Sequence, residues 1–273
     1  DIPVEKIKPP AETTWLGQGK NPVYLMRTSW TDPAALYLGF KAGSPGVNHA
    51  HMDIGSFIME SDGIRWAMDF GAQNYESLES KGMYIFGREQ NAERWSIFRL
   101  NNYSHSTLTV NDSLQRVDGY AKIDKYSNDQ KFMYATSDIS SLYKGQLKSA
   151  ERGAGVVDGL YTVIRDEIET LDNSTKVRWK MVTPAEVELT KTGATLTKDG
   201  KTLYLKVNTS AAYKMKTWST APTNGYDVEN PGTIMVGFET EIAANSKQSF
   251  EVLLVPKKSE SLAEFPGKPL NDW

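Results

Sequence analysis

Short apolar runs rich in Trp, Tyr, Phe, Thr and Val, separated by Gly- and Asp-containing breaks, recur along the chain and predict strands rather than helices. Ala35-Leu36-Tyr37-Leu38-Gly39-Phe40 reads as a strand entering a loop at Ala42-Gly43-Ser44-Pro45-Gly46. Ser56–Glu60 and Ile64–Met68 flank Ser61-Asp62-Gly63, and an Asp-Gly pair tolerates the positive φ angles of a tight hairpin turn. A second hairpin is expected over Ala194–Thr197 and Thr202–Val207, turning at Asp199-Gly200. Further strands are expected over Thr107–Val110, Leu160–Ile168, Lys176–Val182 and Ser249–Val255. Glu76–Arg99 is mixed, with Asn91–Phe98 either one helical turn or an irregular loop. The pattern predicts an all-β fold: a large multi-sheet antiparallel β-sandwich of the super-sandwich type, with few short helices. Pro3, Pro9, Pro10 and Pro22 mark residues 1–22 as a linker or wrapping segment. Residues 23–256 form the sandwich, with a possible subdivision near 195 but one continuous body favoured, and 257–273 form a C-terminal tail.

At 273 residues and 39% hydrophobic content the chain can bury a sizeable core. A net charge of -3 gives no reason to expect nucleic-acid binding. Without cysteine, neither disulfides nor thiolate metal sites are available. No apolar run approaches the roughly 18 residues of a membrane span. A start at Asp1 suggests a processed or truncated chain. The absence of cysteine fits a bacterial periplasmic or secreted protein.

The chain has only three histidines, and they lie close together in sequence. Two fall in Asn48-His49-Ala50-His51-Met52-Asp53 and the third in Tyr103-Ser104-His105-Ser106-Thr107, with Trp66-Ala67-Met68-Asp69-Phe70-Gly71 between. If the first segment is extended, His49, His51 and Asp53 share one face. Imidazoles and a carboxylate gathered from separate strand ends make an N/N/O set suited to Zn²⁺. Each of these residues alone is more commonly a hydrogen-bonded structural group, and Asp beside Gly commonly closes a turn. Scarcity of histidine elsewhere favours a shared site.

Arg27-Thr28-Ser29-Trp30, Gly43–Phe57 with its His-x-His-x-Asp core, Gly63 with Trp66–Gly71, and Ser104-His105-Ser106-Thr107-Leu108 together resemble the heparinase II/III family of polysaccharide lyases. The resemblance is strongest over residues 25–112; Arg152-Gly153 and Val163–Ile168 resemble a later, less diagnostic part. It implies that His49 sits in the catalytic cleft and that His51, Asp69 and His105 bind a structural zinc. It also implies an upstream domain of helical hairpins, absent here, that supplies a tyrosine and an Asn or His to the active site. Activity by this chain alone is therefore not expected. The implied partner is an acidic, uronate-containing polysaccharide, cleaved by β-elimination. That reaction removes the C5 proton beside a carboxylate, offsets the charge of the enolate-like intermediate and protonates the departing O4. A histidine side chain exchanges protons near neutral pH and suits either proton transfer.

Tyr75, Tyr84, Arg88 and Arg94, between Asp69 and His105, are candidate substrate contacts, although Glu89 and Glu93 nearby could pair with the arginines. Trp66 and Trp95 are expected in the core rather than on sugar rings. Two other readings fit the same residues: a non-catalytic carbohydrate-binding or structural sandwich with zinc as a staple, and a zinc-dependent hydrolase.

Overall fold

The computed structural model describes Pro3 and residues 6–273. Of the expected linker, residues 1, 2, 4 and 5 lie outside the described residues. In chain order the strands are β1 Thr14–Gly17, β2 Val23–Arg27, β3 Tyr37–Lys41, β4 Phe57–Ser61, β5 Ile64–Ala67 and β6 Thr109–Val110. Next come β7 Lys125–Ser127, β8 Phe132–Asp138, β9 Leu147–Val157, β10 Tyr161–Thr170, β11 Thr175–Thr183 and β12 Glu186–Leu189. The last five are β13 Gly193–Lys198, β14 Lys201–Asn208, β15 Tyr213–Trp218, β16 Ile234–Ile242 and β17 Lys247–Pro256. Among the described residues one α-helix, α1 Tyr75–Glu79, and several 3-10 turns fill connections.

The strands form three antiparallel sheets: β1-β2-β3-β4-β5, β12-β13-β14-β17-β10-β9-β8-β7 and β15-β16-β11-β6. Within the segment expected to be a linker, Thr14–Gly17 pairs with β2 as the edge of the first sheet. The second sheet runs unbroken through β13 and β14 into β17 and β10, so hydrogen bonding is continuous across position 195. Three hairpin turns place an Asp-Gly pair at positive φ: Asp62-Gly63, Asp158-Gly159 and Asp199-Gly200. Asp tolerates the left-handed region better than most residues, and glycine occupies it freely.

Alternation sends Tyr24, Met26, Leu38, Phe40 and Met59 of the first sheet inward, against Met133, Ala154 and Val156 of the second and Trp179 and Phe238 of the third. Trp179 stacks on Phe238 with ring planes 2° apart. The other face of the second sheet is covered by the chain's last residues, which bring Leu270 and Trp273 onto Tyr161, Val163, Leu253 and Val255. Met68 bridges to Val182, joining the first sheet to the third. Between β5 and β6 the chain makes a layer of loops with a small core of its own, including Met52, Leu78, Met83, Ile85, Trp95 and Leu100. Long loops with internal packing are frequently functional. All three histidines belong to this layer or the loops that abut it.

Candidate functional site

The His49–Asp53 segment is not a strand. It winds through turns, with Ala50 N–H donating to Val47 O and Met52 N–H to Leu100 O. His49 has φ 59°, the left-handed region that non-glycine residues seldom occupy. That one residue breaks the alternation on which a shared face depends. His51 and Asp53 turn inward, with 8% and 6% exposure, while His49 is exposed.

His51, Asp53 and His105 converge: one ligand-type atom from each lies within 4.8 Å of the others. The two imidazoles are 5.3 Å apart between ring centres. Asp69, half-buried at the end of the first hairpin, stands on the far nitrogen of His105, with Nδ1 and Oδ2 separated by 2.6 Å. Lys41 reaches Asp53 Oδ2 at 2.5 Å. Two residues of this cluster each carry a buried polar atom without a hydrogen-bond partner: His105 Nε2 and Asp53 Oδ1. Buried polar atoms rarely go unpaired, so two of them within one cluster of ligand-type side chains point to a place for a ligand. Burial, aided by the charge of His105, lowers the His51 pKa to about 4, leaving its imidazole neutral and able to ligate. Burial alone would lower His105, but the charge and hydrogen bond of Asp69 raise it. Burial would likewise raise Asp69, and His105 outweighs it, holding the carboxyl well below its ordinary range. Two imidazoles and a carboxylate fit a zinc-type ion, with a second carboxylate orienting His105 from behind.

Two buried side chains, Arg152 and Lys180, clamp the loops that carry these residues. Arg152 of β9 binds Asp166 of β10 through both carboxylate oxygens, at 2.6 and 2.9 Å. Its remaining nitrogen donates to Gly55 O and Ser106 O, one on each ligand-bearing loop. Lys180 of β11, fully buried, donates to Asn102 O at 2.9 Å, His105 O at 3.1 Å and Thr109 Oγ1 at 3.2 Å. Gln115 closes the arrangement, exchanging bonds with Ile54 N–H and Ile54 O. The paired Arg152–Asp166 bonds are charge-assisted and strong where water is excluded, whereas burial pushes the Lys180 pKa well down, so its bonds count as buried hydrogen bonds. Neither lysine nor arginine was evident as a site residue from sequence, because each acts on backbone carbonyls far away in the chain.

On the solvent side His49 meets residues of the loop layer. Its Nδ1 lies 2.9 Å from the Tyr75 hydroxyl, and the two rings stack 15° from parallel. Asn74 caps α1 by accepting from Ser77 N–H, which fixes Tyr75 at the helix start. Arg88, exposed, donates to Asn48 Oδ1. Tyr84 is exposed, and its N–H donates to Glu93 at 2.8 Å. Arg94, expected at the substrate, is turned inward at 6% exposure. Its guanidinium donates to Ala50 O at 2.8 Å and lies over the Trp95 ring, so it supports the His49–His51 turn instead. Trp66 and Trp95 are buried, as expected for core residues.

These features define an all-β sandwich that carries a buried His/Asp donor cluster and, in the same loop layer, an exposed histidine–tyrosine pair. The chain belongs to the family described as Heparinase II/III-like, C-terminal, whose match covers residues 24–249. Among solved structures, a heparinase III superposes with a TM-score of 0.69 at 18% identity, over 96% of this chain and 39% of that one. The heparan sulfate lyase HepC from Pedobacter heparinus superposes with a TM-score of 0.66 at 18% identity, over 91% of this chain and 37% of its own. The chain therefore spans less than two-fifths of the length of either. No curated protein matches by sequence. No helix among the described residues is long and apolar enough to cross a membrane.

Proposed function

We propose that the chain is the β portion of a polysaccharide lyase that cleaves uronate-containing acidic glycans by β-elimination, acting in the periplasm or outside a bacterial cell. The observation that carries the proposal is the exposed, left-handed His49 paired with Tyr75 within a chain of this family. Strained backbone is maintained only where surrounding structure enforces it, and such residues cluster at functional sites. Here Arg94, Asn48 and Met52 hold the turn on either side of His49.

In this reading the substrate lies over His49, with Tyr75 holding Nδ1 so that Nε2 points at the reacting sugar. A base removes the C5 proton, the C5–H electron pair becomes the C4–C5 double bond, and the C4–O4 bond breaks as O4 takes a proton. His49 serves one of these proton transfers. An upstream helical domain supplies a tyrosine for proton transfer and the Asn or His that offsets the substrate carboxylate. Arg88, with guanidinium nitrogens left over from Asn48, pairs with an anionic group of the chain, and Tyr84 borders the same surface.

We assign zinc to the His51–His105 cluster in a structural role. His51, His105 and a carboxylate would hold it, and the ion would tie the two loops that Arg152 and Lys180 already brace. Resemblance favours Asp69 as the carboxylate ligand, whereas Asp53 stands closer to the shared space. Metal analysis of Asp53→Asn and Asp69→Asn separates them: the ligand variant loses the ion, and the other retains it with weaker affinity. Near-complete burial of both imidazoles favours a staple over a hydrolytic ion, which needs an open position for water.

The test is the full-length protein on a panel of uronic-acid polymers. Elimination leaves an unsaturated uronate with a new ultraviolet band; hydrolysis leaves none. Glycan cleavage without that band would rule out the lyase reading.

A further inference from the structure

From residue 83 to 88 the chain alternates in exposure: Met83, Ile85 and Gly87 are buried, and Tyr84, Phe86 and Arg88 face solvent. Phe86 is 52% exposed, beside Tyr84 at 63%. It is not loose. Its edge meets Tyr75 at 6.1 Å between ring centres and Tyr84 at 6.3 Å. Tyr75 is the residue that holds His49, so Phe86 adjoins the proposed reaction centre through one ring.

The backbone beneath is fixed at both ends. Tyr84 N–H donates to Glu93 and Arg88 N–H to Glu89, at 2.8 and 3.1 Å, so both carboxylates are engaged by the strip they flank. Met83 and Ile85 anchor in the core of the loop layer. At Gly87 a Cβ would come within 2.7 Å of the Ala92 Cβ, so only glycine permits this approach. A segment pinned in this way presents aromatic surface to water by construction. Exposed apolar patches with a polar rim mark binding surfaces.

Resting on the proposed function, we infer that Phe86 is a sugar-stacking platform that seats the ring next to the one at His49. A hexopyranose has an apolar C–H face and a polar edge; in an acidic glycan that edge carries carboxylate or sulfate. Phe86 matches the face, and Arg88, two residues on, matches the anion at the edge. Phe86 is thus a binding and positioning residue that sets grip on the polymer and leaves proton transfer to His49.

The experiment uses the full-length protein and two readouts: release of ultraviolet-absorbing product, and equilibrium binding of size-defined uronate oligosaccharides. Failure of the wild type to release that product from any uronate polymer counts against the lyase reading alone; the binding readout still decides the platform. Phe86→Ala is expected to weaken binding and raise KM by about tenfold, with kcat changed by less than about twofold. Phe86→Trp, which keeps a platform, is expected to restore both, whereas Phe86→Leu, which keeps apolar bulk, is not. Unchanged binding in Phe86→Ala overturns the inference, as does a loss of thermal stability with binding intact, which would mean Phe86 packs against polypeptide. Equal rescue by Leu also overturns it, as does absence of oligosaccharide binding by the wild type.

Discussion

Residue by residue, the two histidines of Asn48–Asp53 are divided by conformation. His51 is neutral, buried and aimed at His105; His49 is left-handed, exposed and aimed at Tyr75. Substitutions should therefore separate chemistry from stability. If the proposed lyase reaction holds, His49→Asn in the full-length protein, which keeps a side chain suited to the left-handed turn, is expected to reduce turnover by about a hundredfold or more with Tm nearly unchanged. His51→Ala is expected to lose the metal and lower Tm by several degrees; turnover assays with metal analysis and calorimetry compare the two. A pH effect follows from the same burial. Unfolded His51 takes up a proton near 6.5, but the folded residue resists it until about 4, because burial and then the charge of His105 disfavour the imidazolium. The unfolded state thus binds more protons in this window, and stability falls as pH drops from 6.5 towards 4. Raised His105 keeps its contribution throughout that window, since it is lost only as pH rises through its folded value. Depressed Asp69 keeps its own down to below 3.8. For metal-stripped protein the loss between pH 6.5 and 4.5 is on the order of 2 kcal/mol. Urea midpoints at pH 6.5 and 4.5 measure it, and His51→Gln should flatten the difference.

Individual elements show what was legible in the sequence. Hairpins at Asp62-Gly63 and Asp199-Gly200 could be read directly, because that dipeptide answers a demand for consecutive positive φ angles. Strands β10, β11 and β17 were legible from continuous apolar and β-branched runs. By contrast, β8 and β9 were hidden by their polar content. Arginine is seldom fully buried, yet Arg152 is, because Asp166 lies opposite on β10. Gathering of His51 with His105 was foreshadowed by the scarcity of histidine. The family resemblance separated His49 from His51, but the residue pattern alone put them on one face, because one left-handed residue breaks the alternation. The inward turn of Arg94 was not foreshadowed, since its acceptor Ala50 O is remote in sequence. Gly153 on β9 carries a prediction for the element. A Cβ there would lie 2.4 Å from Leu270 and 2.7 Å from Trp273, which close the outer face of the second sheet. Gly153→Ala should displace the C-terminal residues and cost about 1–3 kcal/mol of stability, read from the denaturation midpoint and Trp273 fluorescence.

For the whole molecule, folding and chemistry place different demands on length. Three hydrogen-bonded sheets share a continuous core, and the proposed metal cluster draws every donor from within residues 51–105. Nothing in that cluster requires another chain. The proposed reaction does: offsetting the substrate carboxylate and completing proton transfer require groups beyond His49 and Tyr75, and solved relatives are more than twice as long. Residues 1–273 alone should therefore fold cooperatively and retain one equivalent of metal through dialysis, while releasing no unsaturated uronate from acidic polymers. If the proposed ion ties the His51 and His105 loops, chelation should lower Tm in residues 1–273 and in the full-length protein alike. Restored turnover on joining the upstream sequence, with the same metal content, would assign catalysis to the interface between the parts and the ion to the fold. Efficient turnover by the fragment alone would instead place the complete catalytic set around His49, Tyr75 and Arg88.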